Sequence, residues 1–542
     1  MPPKRERHST NPLDKIPEGL AGCMKVDTIL RWAKEVNQKW SLRLEGYLDP
    51  SLATADNWCG WDGTPSGPSE EHTSSVYEKS LTELAEIGVL RRVERPEETN
   101  QIRVFASYFQ VKKNAQVDRA IQNCCALKAR TKPPFPLYLI RLRQLFQLVD
   151  FFEKPHFSWM DLRHWFYQIT LPNAVRKLFS IRAGSKQYEL RVWPMGFTFT
   201  PAISQTIVSI ILCQAVRRIA VHQELWIDNA EADFAPPFLI VKTHSRGVAR
   251  IVAFIIAWYD NIVVIAENNF FVRCITPSIV STLGLAEVII KKVGDEQQDV
   301  FYSETLEFLG MNIKKDATDG RVIWNHIPSN QQKWALHELP TPRMPCTPRL
   351  VSELSGVIMW DWNIRGGLLG EVRHVIELMR VVGRESMTQE SYDTTKRFDT
   401  GLLEKLRSDF LEIATKSPTT YSFPPVPSPN LPKIWAASDS SGEKAAGVTF
   451  TMNAVETNEW VIDWEGEAAE KPINWKETRM AQLTLEHIVK KEMPSEVEII
   501  FAVDNSTAKA ALRTGMYRED ETMSAWLYET LTTLSVRRIV LI

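Results

Sequence analysis

Residues Ile251–Ala266 read IVAFIIAWYDNIVVIA. Two apolar, β-branched runs flank a polar tip, Tyr259-Asp260-Asn261. Such runs predict buried strands, and a short polar tip between them predicts a hairpin turn. About a hundred residues upstream, Phe157-Ser158-Trp159-Met160-Asp161 predicts a second apolar strand that also ends in an aspartate. Two acids at the ends of buried strands are the raw material of a metal site, because divalent magnesium takes oxygen ligands and needs few carboxylates.

Around this pair the chain is punctuated clearly. Residues 1–22 are basic and polar with four prolines and predict a disordered tail, followed by an N-terminal extension over 23–75. Within that extension, residues 56–75 are rich in turn formers and predict a loop. Residues 416–433, KSPTTYSFPPVPSPNLPK, hold six prolines and predict an extended, semi-rigid linker. The segment 434–542 alternates strand-like and helix-like patterns, as an α/β domain would.

A length of 542 residues accommodates three or four domains. The seven cysteines, at 23, 59, 124, 125, 213, 274 and 346, form no CxxC pair and no Cys/His zinc pattern. They predict reduced thiols in an intracellular protein of the cytoplasm or nucleus. MPPKRERHST has no apolar core of the secretory type. No apolar run is expected to reach membrane-spanning length, the longest being broken at Asp260 and Asn261, so no membrane partner is expected. Net charge is −2. Residues 431–542 carry 12 Lys and Arg against 18 Asp and Glu, leaving 52 against 48 for the rest. A weakly positive body with an acidic C-terminal part fits nucleic-acid binding through local patches, not a uniform basic coat.

The segments MDLRHWFYQI, WPMGFTFTPAISQ, WYDNIVV and EFLGMNI occur in this order, with Gly284-Leu285 leading to Lys291 and Lys292 before the last. In that order they resemble the reverse transcriptases of retrotransposons and retroviruses. Upstream, LTELAEIGVLRRV (81–93) looks like that family's leading helix and strand, and 107–128 looks like its fingers strands. The resemblance implies an α+β right-hand polymerase, with fingers and palm over 76–315 and thumb and connection over 316–415. It implies two magnesium ions, or manganese, held by Asp161 and Asp260 with the Leu162 carbonyl. Two such ions about 4 Å apart would serve nucleotidyl transfer. Lys113 and Arg119 match the fingers residues that hold a deoxynucleoside triphosphate. Phe166, five residues after Asp161, matches the aromatic gate that excludes a ribose 2′-hydroxyl, and Met195, Gly196 and Lys291 match the substrate pocket. Phe308–Met311 matches the primer grip. The family's second aspartate is replaced by Asn261, an isosteric but neutral amide, and the position of His164 usually holds an acid. The stretch from Gly196 to Asp260 is longer than the family norm, with an insertion near 217–250.

In the last segment, Asp439 ends one predicted strand and Asp504 another, and Glu477 lies in the first turn of a helix predicted over 476–493. Met480, Ala481, Leu483 and Ile488 are available for its buried face. The order Asp, Glu, Asp resembles the ribonuclease H domain, whose carboxylates bind two metals, and implies an α/β fold for 434–542. That family carries a fourth carboxylate in a helix after a further strand, and residues 537–542 (RRIVLI) look like that strand. The whole implies a polymerase–ribonuclease H region of a retroelement of gypsy, pararetrovirus or tyrosine-recombinase type. Its expected partners are an RNA or DNA template–primer, deoxynucleoside triphosphates and other retroelement proteins. The alternative is a decayed or domesticated relative that binds nucleic acid or protein without catalysis.

Overall fold

The structure is a computed structural model. It describes residues 11–54, 58, 75–94, 106–112, 116–124, 127, 131, 135–293, 302–336, 338–341, 343–365, 369–385, 391, 393–421, 433–451, 457–490, 497–517, 520–536 and 540–541. Helices and sheets are mixed throughout, and the chain folds into two compact units that divide after Asn330. Ser417–Thr420 returns to the first unit, where Thr419 and Thr420 pair with Trp324 and Ile323.

The first unit is organised by a six-stranded sheet. Its strands are β1 (His156–Leu162), β2 (Trp226–Ile227), β3 (Phe238–Ser245), β4 (Val248–Trp258), β5 (Asn261–Ala266) and β6 (Ile290–Val293), in the spatial order β6-β1-β5-β4-β3-β2. The apolar runs of the opening hairpin are β4 and β5, with Trp258 opposite Asn261. The turn is therefore two residues long, Tyr259-Asp260, and Asn261 already belongs to the strand. Tyr259 takes φ +55, a left-handed conformation at the first turn position that reverses the chain tightly. β5 is buried from Ile262 to Ala266, because helices α1 (Thr200–Gln223) and α2 (Asn269–Leu285) cover one face of the sheet.

Helix α1 corrects one expectation. Thr200–Ala220 is long and apolar enough to cross a membrane by length and composition, although 78% of that stretch is buried within the protein. Gln205 and the helix's serines and threonines are buried with it: Gln205 Nε2 donates to the Ala257 carbonyl at 3.1 Å, and Ser204 Oγ accepts from Trp165 Nε1 at 2.5 Å. Such a helix reads as apolar all round because it is enclosed.

The expected disordered tail is also corrected for residues 11–22. Leu13 bridges to Asp118, and the Asp14 N–H donates to the Asp118 carbonyl at 2.8 Å. Ile16 and Leu20 are buried in the main core, and this burial offsets the entropy of ordering the segment. The turn-rich stretch after it hides an anchor. Trp58 is fully buried against Tyr47, Phe179, Trp193 and Phe197. The rest of 56–75, apart from Ser75, lies outside the described residues.

Residues 217–250, expected as an insertion, have a structural role. They build β2, β3 and the start of β4, widening the sheet, and their loop receives the helices Val26–Val36 and Gln38–Leu48. Asn37, between those helices, caps the second by accepting from the Lys39 and Trp40 N–H groups. Its own amide donates to the Ala230 and Ala232 carbonyls at 2.9 and 3.0 Å, and Trp40 Nε1 donates to Ala232 at 2.9 Å. The Arg43 guanidinium lies 4.0 Å from the centre of the Phe234 ring.

In the second unit, helices Pro348–Arg365, Arg373–Glu385 and Thr400–Ala414 share a core of Val351, Leu354, Ile358, Leu378, Leu406 and Phe410. Trp360 and Trp362 are both half-buried, Trp362 against that core. The C-terminal sheet runs β9-β8-β7-β10-β11, from β7 (Lys433–Ser440), β8 (Lys444–Thr451), β9 (Thr457–Asp463), β10 (Glu498–Ala502) and β11 (Val540–Leu541). The first three are antiparallel, while β10 pairs parallel to β7 and β11 parallel to β10. Helix α3 (Ile473–Lys490) packs on β7 and β8. It begins directly after Pro472, three residues earlier than expected, so Glu477 lies beyond the first turn. Its buried stripe uses Leu485, and Leu483 is only half-buried.

Candidate functional site

Two groups of carboxylates stand out, one in each unit. In the first, Asp161 is the penultimate residue of β1 and faces Asn261 directly across the β1–β5 ladder. The Leu162 N–H donates to the Asp260 carbonyl at 2.7 Å, which pins the hairpin turn to the end of β1. Asp161 and Asp260 thereby line one cleft of about 610 Å³ with Arg119, Leu162, Phe166, Met195, Gly196 and Lys291. Burial pushes the Asp260 carboxyl above its ordinary value, the Asp161 charge adds to the rise, and Arg119 and Lys291 oppose it.

Backbone irregularities aim these side chains. The pairing of β6 with β1 shifts between Ile290 and Lys292, so Lys291 is a bulged residue. Its ammonium lies 2.5 Å from Asp161 Oδ2. After β1, His164 takes φ +43 and turns the chain into the short helix Trp165–Gln168. Tyr167 donates to the Ala120 carbonyl at 3.3 Å and Gln168 to the Ile289 carbonyl at 2.9 Å. With Trp165 held by Ser204, these anchors fix Phe166 between them, half-buried and facing the cleft. Gly196 sits at φ +93, where a Cβ would approach the Gln122 carbonyl to 3.3 Å, so a larger residue there is strained.

Asn261 does not line the cleft. Its amide donates to Asp260 Oδ1 at 3.1 Å. Lys113 lies outside the described residues. Tyr259 of the hairpin tip also lines the cleft, as do Asp14 and Lys15, which were not singled out from the sequence. His164 Nε2 lies 3.7 Å from Asp14 Oδ2. The signal that could have found Asp14 and Lys15 is the apolar Ile16 and Leu20 directly after them, which tie the segment to the core. The Leu306–Phe308 and Met311–Lys315 strands form a tight hairpin with Leu309 at φ +51 and Gly310 at φ +77.

In the second unit, Asp439 near the end of β7, Glu477 on α3 and Asp504 just after β10 come together. Their ligand oxygens all lie within 4.8 Å of one another. β7 and β10 are parallel neighbours, so both strands deliver their acids to the same end of the sheet. Glu477 is only 5% exposed, and its Oε2 is buried without a hydrogen-bond partner. Burial raises its pKa first, and the charges of Asp439 and Asp504 raise it further. A buried carboxylate beside two others, with one oxygen unsatisfied, is a donor set that a divalent cation fits. The Ser440 N–H steadies Asp439 Oδ1 at 2.8 Å.

No family model matches the chain, and no curated protein matches it. Among solved structures, a foamy viral protease-reverse transcriptase in complex with double-stranded DNA aligns over 98% of this chain and 83% of its own. That alignment has 12% identity and a TM-score of 0.44. A foamy viral protease-reverse transcriptase in complex with RNA/DNA hybrid aligns over 97% of this chain and 64% of its own, with 12% identity and a TM-score of 0.44.

Proposed function

We propose that the chain is an RNA-directed DNA polymerase joined to a ribonuclease H-type nuclease, from a retroelement. The observation that carries this reading is the meeting of Asp161 and Asp260 at the ends of neighbouring strands, in a cleft shared with Arg119, Phe166, Met195 and Gly196. On this reading the six-stranded sheet is the palm of a right hand, the 107–123 hairpin belongs to the fingers, and 316–415 is thumb and connection. Asp161 and Asp260 would hold magnesium or manganese with the Leu162 carbonyl. When bound, the metal supplies charge neutralisation and activation of an attacking oxygen. Arg119 steadies the triphosphate through charge-assisted hydrogen bonds, with Lys113 as its partner. Phe166 blocks a ribose 2′-hydroxyl, and the bare backbone at Gly196 admits the base and template. Phe308–Met311 steadies the primer end.

The order β9-β8-β7-β10-β11 and the Asp439–Glu477–Asp504 cluster support an α/β ribonuclease H-like reading of the second site. Those three acids would hold the metal that activates water against an RNA phosphodiester. Primer extension on an oligo(dT)-primed poly(rA) template, and cleavage of an RNA/DNA hybrid, test the two halves separately. Extension with either magnesium or manganese is the expected result. Template binding with no extension at any metal concentration would overturn the polymerase half.

That second outcome defines the other reading, a relative that binds nucleic acid without polymerising. The paired observations favouring it are the neutral Asn261 opposite Asp161 and the Lys291 ammonium lodged on Asp161.

A further inference from the structure

Lysine is almost never fully buried. Lys476, immediately before Glu477, is 3% exposed. Its Nζ donates to the Gly442 carbonyl at 2.5 Å and to the Ala469 carbonyl at 2.8 Å. Gly442 lies in the short loop between β7 and β8, three residues after Asp439, and Ala469 lies in the segment leading into α3. Burying an ammonium costs desolvation that an apolar side chain of the same length would not incur. The charged group strengthens both hydrogen bonds relative to a neutral donor.

A second tie leaves the same helix two residues earlier. Asn474 Oδ1 accepts from Asn505 Nδ2 at 2.9 Å. Asn505 directly follows Asp504, and its Oδ1 caps the next helix by accepting from the Thr507 and Ala508 N–H groups. The start of α3 therefore touches the loop of each neighbouring acid: Lys476 reaches the loop after Asp439, and Asn474 reaches the residue after Asp504. Glu477 sits on the same stretch of helix.

We propose that Lys476 is a positioning residue for the Asp439–Glu477–Asp504 metal site, holding the Asp439 loop at a fixed distance from Glu477, with Asn474 holding the Asp504 loop. The proposal rests on the nuclease reading of that site. Neither residue needs to touch the substrate. Each fixes a loop whose carboxylate would otherwise drift from the mutual approach seen here.

The test uses the full chain and manganese, and reads hybrid cleavage against manganese concentration. Lys476→Met, similar in length but unable to donate, is expected to raise the half-saturating manganese about tenfold. Cleavage at saturating manganese should stay within about twofold of the parent, because the acids themselves are intact. Asn474→Ala is expected to shift manganese dependence in the same direction by less, and it carries the test if Lys476→Met fails to fold by circular dichroism. Unchanged manganese dependence in the folded variants, or a loss confined to the rate at saturating manganese, would overturn the proposal. If the parent cleaves no hybrid and its manganese binding is indifferent to Asp439→Asn, the nuclease reading itself fails and takes the proposal with it.

Discussion

The two acid clusters differ in what surrounds them. In the first unit, two carboxylates share a cleft; a lysine ammonium in that cleft sits on one of them, and the Asn261 amide, outside it, donates to the other. In the second, three carboxylates converge and a buried oxygen is left without a partner. The second cluster has the stronger need for a positive charge, since no described side chain forms an ion pair with Asp439, Glu477 or Asp504. The first is partly neutralised by its own side chains. Like charges held together are tolerated only where protons or cations offset them, so the two sites should differ in metal demand even though both are built from strand-end aspartates.

The largest expected effect separates them outright. Glu477→Gln should reduce hybrid cleavage about 10³-fold or more while primer extension continues, and Asp260→Asn should do the reverse. One substitution silencing both activities would mean that the clusters are not independent, and the comparison would break. Asn261→Asp should sharpen it: by restoring a charge opposite Asp161, it is expected to raise extension at low magnesium about tenfold. No gain would show that Lys291, and not the missing charge, limits that site. Phe166→Val should change selection instead of rate, with ribonucleotide incorporation rising about tenfold relative to deoxynucleotide.

Much of both clusters was legible because a buried strand ending in an acid is a strong local pattern. Ile251–Ala266 and 157–161 predicted their strands from apolar runs, and the register then brought their acids together. What was not legible depends on irregular backbone. No residue pattern announces that Lys291 bulges out of β6 to reach Asp161. The composition of 1–22 suggested a tail, yet Ile16 and Leu20 bind its second half to the core, together with backbone hydrogen bonds such as that from Asp14 to Asp118. The length of 217–250 was visible, but its role was not, since Asn37 and Trp40 recognise main-chain carbonyls at 230 and 232, and carbonyls carry no sequence signature. Helix α3 was misplaced by three residues because the buried Trp475 was not counted into its apolar period, although Pro472 marks its start.

The smallest expected effect is on stability without metal, and its sign follows from the raised carboxyls. Glu477 and Asp260 both have folded pKa values above their unfolded ones. A carboxyl raised in this way contributes stability that is fully present below its unfolded value, near 4, and is lost as pH rises through the folded value. At neutral pH each ionised acid therefore weakens the metal-free fold. Glu477→Gln is permanently neutral and should raise the melting temperature of its unit at pH 7 without metal by a few degrees. At pH 4 that advantage should vanish, because the parent Glu477 is then protonated as well. Asp260→Asn should give a smaller gain, since Lys291 and Arg119 already offset part of the charge there. Adding manganese should reverse the order for the second unit: the parent gains stability by mass action, and Glu477→Gln does not. Equal gains for the two variants without metal would erase the distinction between a cluster that waits for a cation and one that already holds a substitute.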